Sequence, residues 1–144
     1  MKKTIPLIFV FFPMLGYAND HEALYGDWKG QAQFQATVGA SPDTNAHSVT
    51  TFTLTIAPDG KIQGLSAENG CHLLGLASPT IGLSLYNIDV TLSGCNYSGF
   101  NRRYGGTLAR LTKEKKASTL NLFSSQVVPG KGPSSFDIKA NLRR

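Results

Sequence analysis

No stretch of this chain is both long and apolar enough to cross a bilayer as a helix, which takes about 20 residues. The longest apolar run, from Ile5 to Leu15, falls short and contains Pro6 and Pro13. Cysteine is nearly absent: Cys71 and Cys95 are the only two, and they are not spaced as a Cys-x-x-Cys redox pair. Histidine is scarce. His21, His47 and His72 form no His-x-His, His-Glu-x-x-His or Cys/His cluster, so no spacing supports a metal site. The chain has no Gly-x-Ser-x-Gly elbow and no Ser-x-x-Lys pair. Its carboxylates are few and scattered. Asp27, Asp59, Glu68, Asp89 and Asp137 could form an acid/base pair only through tertiary proximity. These absences favour a non-enzymatic protein without a cofactor.

What is present begins at the N-terminus. Met1-Lys2-Lys3, the short apolar run and Gly16-Tyr17-Ala18 before Asn19 are the three parts of a secretory signal peptide. Residues 1–18 are therefore expected to be the leader and residues 19–144 a single domain. The basic start and short apolar core suggest the bacterial periplasm, with full secretion as the other destination. Removing Lys2 and Lys3 leaves 12 basic and 9 acidic residues. The charge is uneven: residues 19–100 hold 7 acidic and 2 basic side chains, residues 101–144 hold 2 and 10. Such asymmetry marks a charged face unless neighbouring strands of opposite sign neutralise each other, the arrangement favoured here. In an oxidising compartment, Cys71 and Cys95 are expected to join as a structural disulfide. It would close a loop of about 25 residues, worth on the order of 3.5 kcal/mol by chain entropy.

The dominant local pattern has period two. Trp28, Gly30, Ala32, Phe34, Ala36 and Val38 alternate with Lys29, Gln31, Gln33, Gln35 and Thr37. Phe52, Leu54 and Ile56 alternate with threonines, and Phe136, Ile138, Ala140 and Leu142 with Asp137, Lys139, Asn141 and Arg143. A strand places each set on one face. Turn chemistry separates the runs: a loop over 39–46, a Pro58-Asp59-Gly60 hairpin, Asn69-Gly70, a break at Ser78-Pro79, a polar tip over 113–116, and Pro129 to Pro133 before the last strand. About eight short strands and no helix imply an all-β fold, a single antiparallel barrel or a barrel-like sandwich. Barrel closure is preferred because it removes exposed edges. Gly70-Cys71 and Gly94-Cys95 both begin a Gly-Cys-x-x-x-Gly sequence, where glycine permits close backbone approach at a turn or strand end.

The segment from Asn96 to Arg103 combines a cysteine anchor, aromatics, glycine and paired arginines. Asn96, Tyr97, Phe100, Arg102, Arg103 and Tyr104 are the candidate binding residues, since binding groups concentrate on loops. Interleaved aromatics and cations can hold single-stranded nucleic acid, but export argues against that partner.

Gly26-Asp27-Trp28 opens the first long strand and Arg143-Arg144 follow the last. This resembles the calycin pattern of lipocalins and avidin-like proteins, in which a Gly-x-Trp motif starts an antiparallel barrel. The resemblance implies that Trp28 closes one barrel end and that Arg143, or Arg144, packs over it by cation–π contact. Asp59-Gly60-Lys61-Ile62-Gln63-Gly64 and Gly94-Cys95-Asn96 are also similar to the small exported META-type domains. The leading expectation is a periplasmic binding protein directed at another exported protein, in the manner of inhibitors or immunity proteins. The alternatives are a carrier of a small apolar ligand, if the barrel interior is not filled, and a small hydrolase.

Overall fold

The computed structural model describes residues 24–39, 41–80, 84–111, 116–130 and 132–144. The expected leader lies outside them, as does most of the expected tip over 113–116. Among these residues nine strands run in chain order: β1 (Gly26–Val38), β2 (Ser41–Pro42), β3 (Ser48–Ile56), β4 (Lys61–Ser66), β5 (Cys71–Pro79), β6 (Leu85–Ser93), β7 (Arg103–Arg110), β8 (Ala117–Val128) and β9 (Gly132–Arg143). All but β2 form an up-and-down antiparallel barrel, and β1 pairs with both β3 and β9 to close it. The two-residue β2 extends the ladder along the far end of β1.

The alternation read in β1, β3 and β9 becomes inside and outside. Trp28, Ala32, Phe34, Phe52, Leu54, Ile138, Ala140 and Leu142 are all at most 2% exposed. They belong to one continuous core with Tyr86, Tyr104 and Leu108. Burying each large apolar side chain contributes about 1.5–3 kcal/mol. The polar end of Trp28 is satisfied as well: its indole N–H donates to the Leu24 carbonyl at 3.0 Å.

Eight strands curve into so narrow a barrel only where backbones can press together. A Cβ on Gly30 would sit 1.8 Å from the Asn141 carbonyl oxygen, and one on Gly106 would sit 1.9 Å from that of Asn121. These two glycines set the close approach of β1 to β9 and of β7 to β8.

Three details depart from the sequence reading. Ser78-Pro79 does not break β5 but ends it, with Pro79 in register with Tyr86 at the strand terminus. The loop over 39–46 carries β2 and a single 3-10 turn, Thr44–Ala46, held by the Asp43 carboxylate accepting from the Asn45 N–H. β9 begins at Gly132, so Pro133 lies within the strand, opposite Val127. β8 pairs with β7 only as far as Phe123.

Candidate functional site

The meander places alternate connections at opposite ends of the barrel. One end gathers the segments 41–47, 67–70 and 94–102 around the Cys71–Cys95 disulfide, which spans a Cα–Cα distance of 4.1 Å. The repeated Gly-Cys has a geometric reason. Gly70 and Gly94 adopt φ of +72° and +73°, and a Cβ on Gly70 would lie 3.2 Å from the Gly94 carbonyl oxygen. Two left-handed glycines side by side let the cysteines meet.

Hydrogen bonds tie this end together. The Glu68 carboxylate accepts from the Thr50 hydroxyl, from the Thr51 N–H at 2.7 Å and from the Thr51 hydroxyl at 3.1 Å. Those donors, led by the Thr50 hydroxyl, lower its pKa to about 2. Asn96 donates its amide to the Glu68 carbonyl, Asn69 donates to the Ser48 hydroxyl, and Asn101 accepts from the Cys95 N–H. Tyr97 donates to Asp43, which pushes the phenol pKa up. A cleft of about 260 Å³ opens among Asn45, Ser48, Asn69, Asn96 and Tyr97, above the disulfide.

The expected binding loop is divided by this arrangement. Phe100 is 2% exposed and Tyr104 is fully buried, so both are corrected from binding residues to core residues. Phe100 packs edge-on against Phe34, Tyr97 and Phe136, and the Tyr104 hydroxyl donates to the Phe100 carbonyl. Desolvation raises the Tyr104 pKa further. Arg102 lies 3.8 Å over the Phe136 ring, donating to the Gly99 carbonyl and to the Gln126 side chain. Arg103 points outward and forms a bidentate pair with Asp89, lowering the carboxyl pKa. The interleaved aromatics and cations therefore serve mainly to cap the barrel. Asn96 and Arg103 remain exposed, and Tyr97 and Arg102 are half-buried.

At the opposite end, of the two arginines that the resemblance offered for packing over Trp28, Arg144 and not Arg143 lies there. Leu142 points inward and Arg143 outward, so Arg144 has the inward parity; its N–H still bonds the Lys116 carbonyl, and its guanidinium lies 4.6 Å from the Trp28 ring centroid. Arg144 also donates to the Tyr25 carbonyl.

The outside of the barrel has two unlike walls, neither found by motif. On β4 and β5, Leu65, Leu74 and Leu76 are 40%, 61% and 56% exposed. Leu74 and Leu76 follow each other along one face, and Leu65 lies diagonal to Leu74 across the ladder. The signal was the leucine-rich β5, which carries leucine at both parities: Leu73 inward, Leu74 and Leu76 outward. On the other side, β1, β9 and β8 present amides, hydroxyls and lysines around a shallow cleft of about 360 Å³. Opposite charges neutralise between β6 and β7 through Asp89 and Arg103, but Lys29 stands in register with Arg143 across β1 and β9.

Among the described residues no group of three or more His, Cys, Asp or Glu side chains converges, and no helix is long and apolar enough to cross a membrane. Asp27, Asp43, Asp59, Glu68 and Asp89 each hold a separate hydroxyl, N–H or cation partner. Comparison with known protein families, curated proteins and solved structures returns no match.

Proposed function

We propose that this protein is an exported, non-enzymatic binding module that engages another exported protein through the outer wall of β4 and β5. The observation that carries the reading is the exposed row of Leu65, Leu74 and Leu76. Leucines that remain solvated at outward strand positions contribute nothing to the core, and contiguous apolar surface of this kind marks protein interaction sites. Charged groups stand beside the row: Lys61 and Asp89 are in register with Leu76, so an apolar centre has a polar rim. The export part rests on the basic, apolar and small-residue segments of the first 18 residues and on the joined cysteines. The interior favours this reading over an apolar carrier. Trp28, Phe34, Phe52, Tyr86 and Tyr104 point into one packed cluster, as in small barrels filled by their own side chains.

The test is affinity capture from periplasmic extract, read by quantitative mass spectrometry, with three baits. Wild type should enrich a defined protein. Leu74→Lys with Leu76→Lys should reduce that protein at least about tenfold while changing stability little, because both side chains are already exposed. Arg102→Ala with Arg103→Ala should retain it. Retention by the leucine variant and loss by the arginine variant would move the site to the disulfide end.

A further inference from the structure

The wall opposite the exposed leucines carries a regular array. In register across β1, β9 and β8, one row reads Gln31, Asn141, Thr119 and the next reads Gln33, Lys139, Asn121. Neighbouring strands lie about 4.8 Å apart, so six hydrogen-bonding side chains form a grid over the cleft of about 360 Å³. That volume is within the ordinary range for ligand pockets.

Two independent observations show that five of the six side chains are not used by the fold, Gln33 being the exception. Gln33 reaches His47 at 3.1 Å. Among the described residues, the side chains of Gln31, Thr119, Asn121, Lys139 and Asn141 make no hydrogen bond or ion pair within the chain. Asparagine is also a poor strand former, yet Asn121 and Asn141 occupy strand interiors on adjacent strands. Solvation alone does not require it, since the β4–β5 wall tolerates leucine at equivalent outward positions. Moreover, the backbone carbonyls of Asn121 and Asn141 are the ones against which Gly106 and Gly30 press, so two close strand approaches lie beside the cleft.

We propose that this wall binds an anionic oligosaccharide. Planar amides donate and accept at once, which suits the vicinal hydroxyls of a sugar. Phe123, 51% exposed and two residues from Asn121 on the same face, offers an apolar platform for a sugar ring. Lys139 at the centre, with Lys29 on the same outer face, favours an acidic over a neutral sugar, while Asp137 beyond Lys139 limits the anionic groups to the other side. Neutral donors and acceptors outnumber cations here. Nucleic acid, whose affinity comes from many phosphate contacts, would need the reverse. The grid shares no residue with the leucine wall, so loss of partner capture there would leave sugar binding here unaffected.

Binding is to be measured by calorimetry on the mature chain, with hexasaccharides of galacturonate and of hyaluronan as acidic probes. Cellohexaose supplies hydroxyls without charge, oligoglutamate supplies carboxylates without hydroxyls, and oligothymidylate supplies phosphates. At least one acidic hexasaccharide should bind, with cellohexaose about fivefold weaker and the other two at least about tenfold weaker. Asn121→Ala with Asn141→Ala should weaken binding about tenfold or more with the thermal midpoint retained. Lys139→Gln should erase the preference for the acidic sugar. No binding of either acidic hexasaccharide, equal binding of oligoglutamate or oligothymidylate, or affinity untouched by the asparagine variant would each overturn the proposal.

Discussion

Asparagine occurs in two opposite settings in this barrel. At the disulfide end Asn69, Asn96 and Asn101 are engaged: Asn69 and Asn96 hydrogen bond to a hydroxyl and a carbonyl of another segment, and Asn101 to an N–H within its own. On the outer wall Asn121 and Asn141 are spread over two strands and engage nothing within the described residues. The same side chain is a tie in one region and an open valence in the other. At the disulfide end, three connecting segments with little regular pairing need partners for their backbone groups, and short amides supply some of them. On the wall the ladder already satisfies the backbone, so an amide there adds no internal bond. Polar residues are informative about function where the fold has no use for them, and the disulfide end, richest in candidate residues by sequence, is the region where the fold uses nearly all of them.

The largest expected effect comes from cutting the tied region. Cys71→Ser with Cys95→Ser releases a loop whose ends are 24 residues apart in sequence, and stability should fall by about 3.5 kcal/mol. Urea unfolding of the purified variant measures it. A midpoint equal to that of wild type would mean that the hydrogen bonds of Glu68, Asn96 and Asn101 hold this end without the covalent link, and the contrast with the wall would then rest on polar groups alone.

The strands, most turns and the cysteine pairing were legible because they are local or nearly forced. Period two in β1, β3 and β9 reports one buried face, Pro58-Asp59-Gly60 suits a tight connection, and two cysteines have one pairing. The fates of Phe100, Tyr104 and Arg102 were not legible. They depend on closure of the barrel, which brings Phe34 of β1 and Phe136 of β9 against Phe100, although 102 residues separate the two strand residues in sequence. Nothing local distinguishes an aromatic that caps a barrel from one displayed on a loop. Arg144, not Arg143, lies over Trp28 because it shares the parity of the inward Leu142, whereas Arg143 faces outward. The two walls were half legible. Gln31 and Gln33 read as a polar face, but that Asn141 and Asn121 stand beside them follows from pairing partners that only the closed sheet defines.

Asn101 gives the middle-sized effect. Its side-chain oxygen accepts from the Cys95 N–H at 2.9 Å, at a partly buried position. Asn101→Ala leaves that donor unsatisfied, a cost of about 1–3 kcal/mol. Asn101→Asp keeps an acceptor and should recover most of the loss in urea unfolding. Equal losses for both variants would show that the side chain's shape, not its acceptor, is what this end requires.

The smallest effect is the sharpest for the comparison. If Asn121 and Asn141 have no structural task, replacing them with a better strand former should cost nothing. Threonine is favoured in strands, on a scale that spans about 1 kcal/mol. Asn121→Thr with Asn141→Thr should therefore leave the urea midpoint unchanged or raise it by a few tenths of a kcal/mol in stability, roughly the limit for surface sites. The backbone carbonyls that Gly30 and Gly106 approach are unaffected, so the barrel corners stay intact. A loss above about 1 kcal/mol would place these residues with Asn101, as ties of the fold. A gain would show that the barrel does not need these two asparagines for its stability, which sets them apart from Asn101.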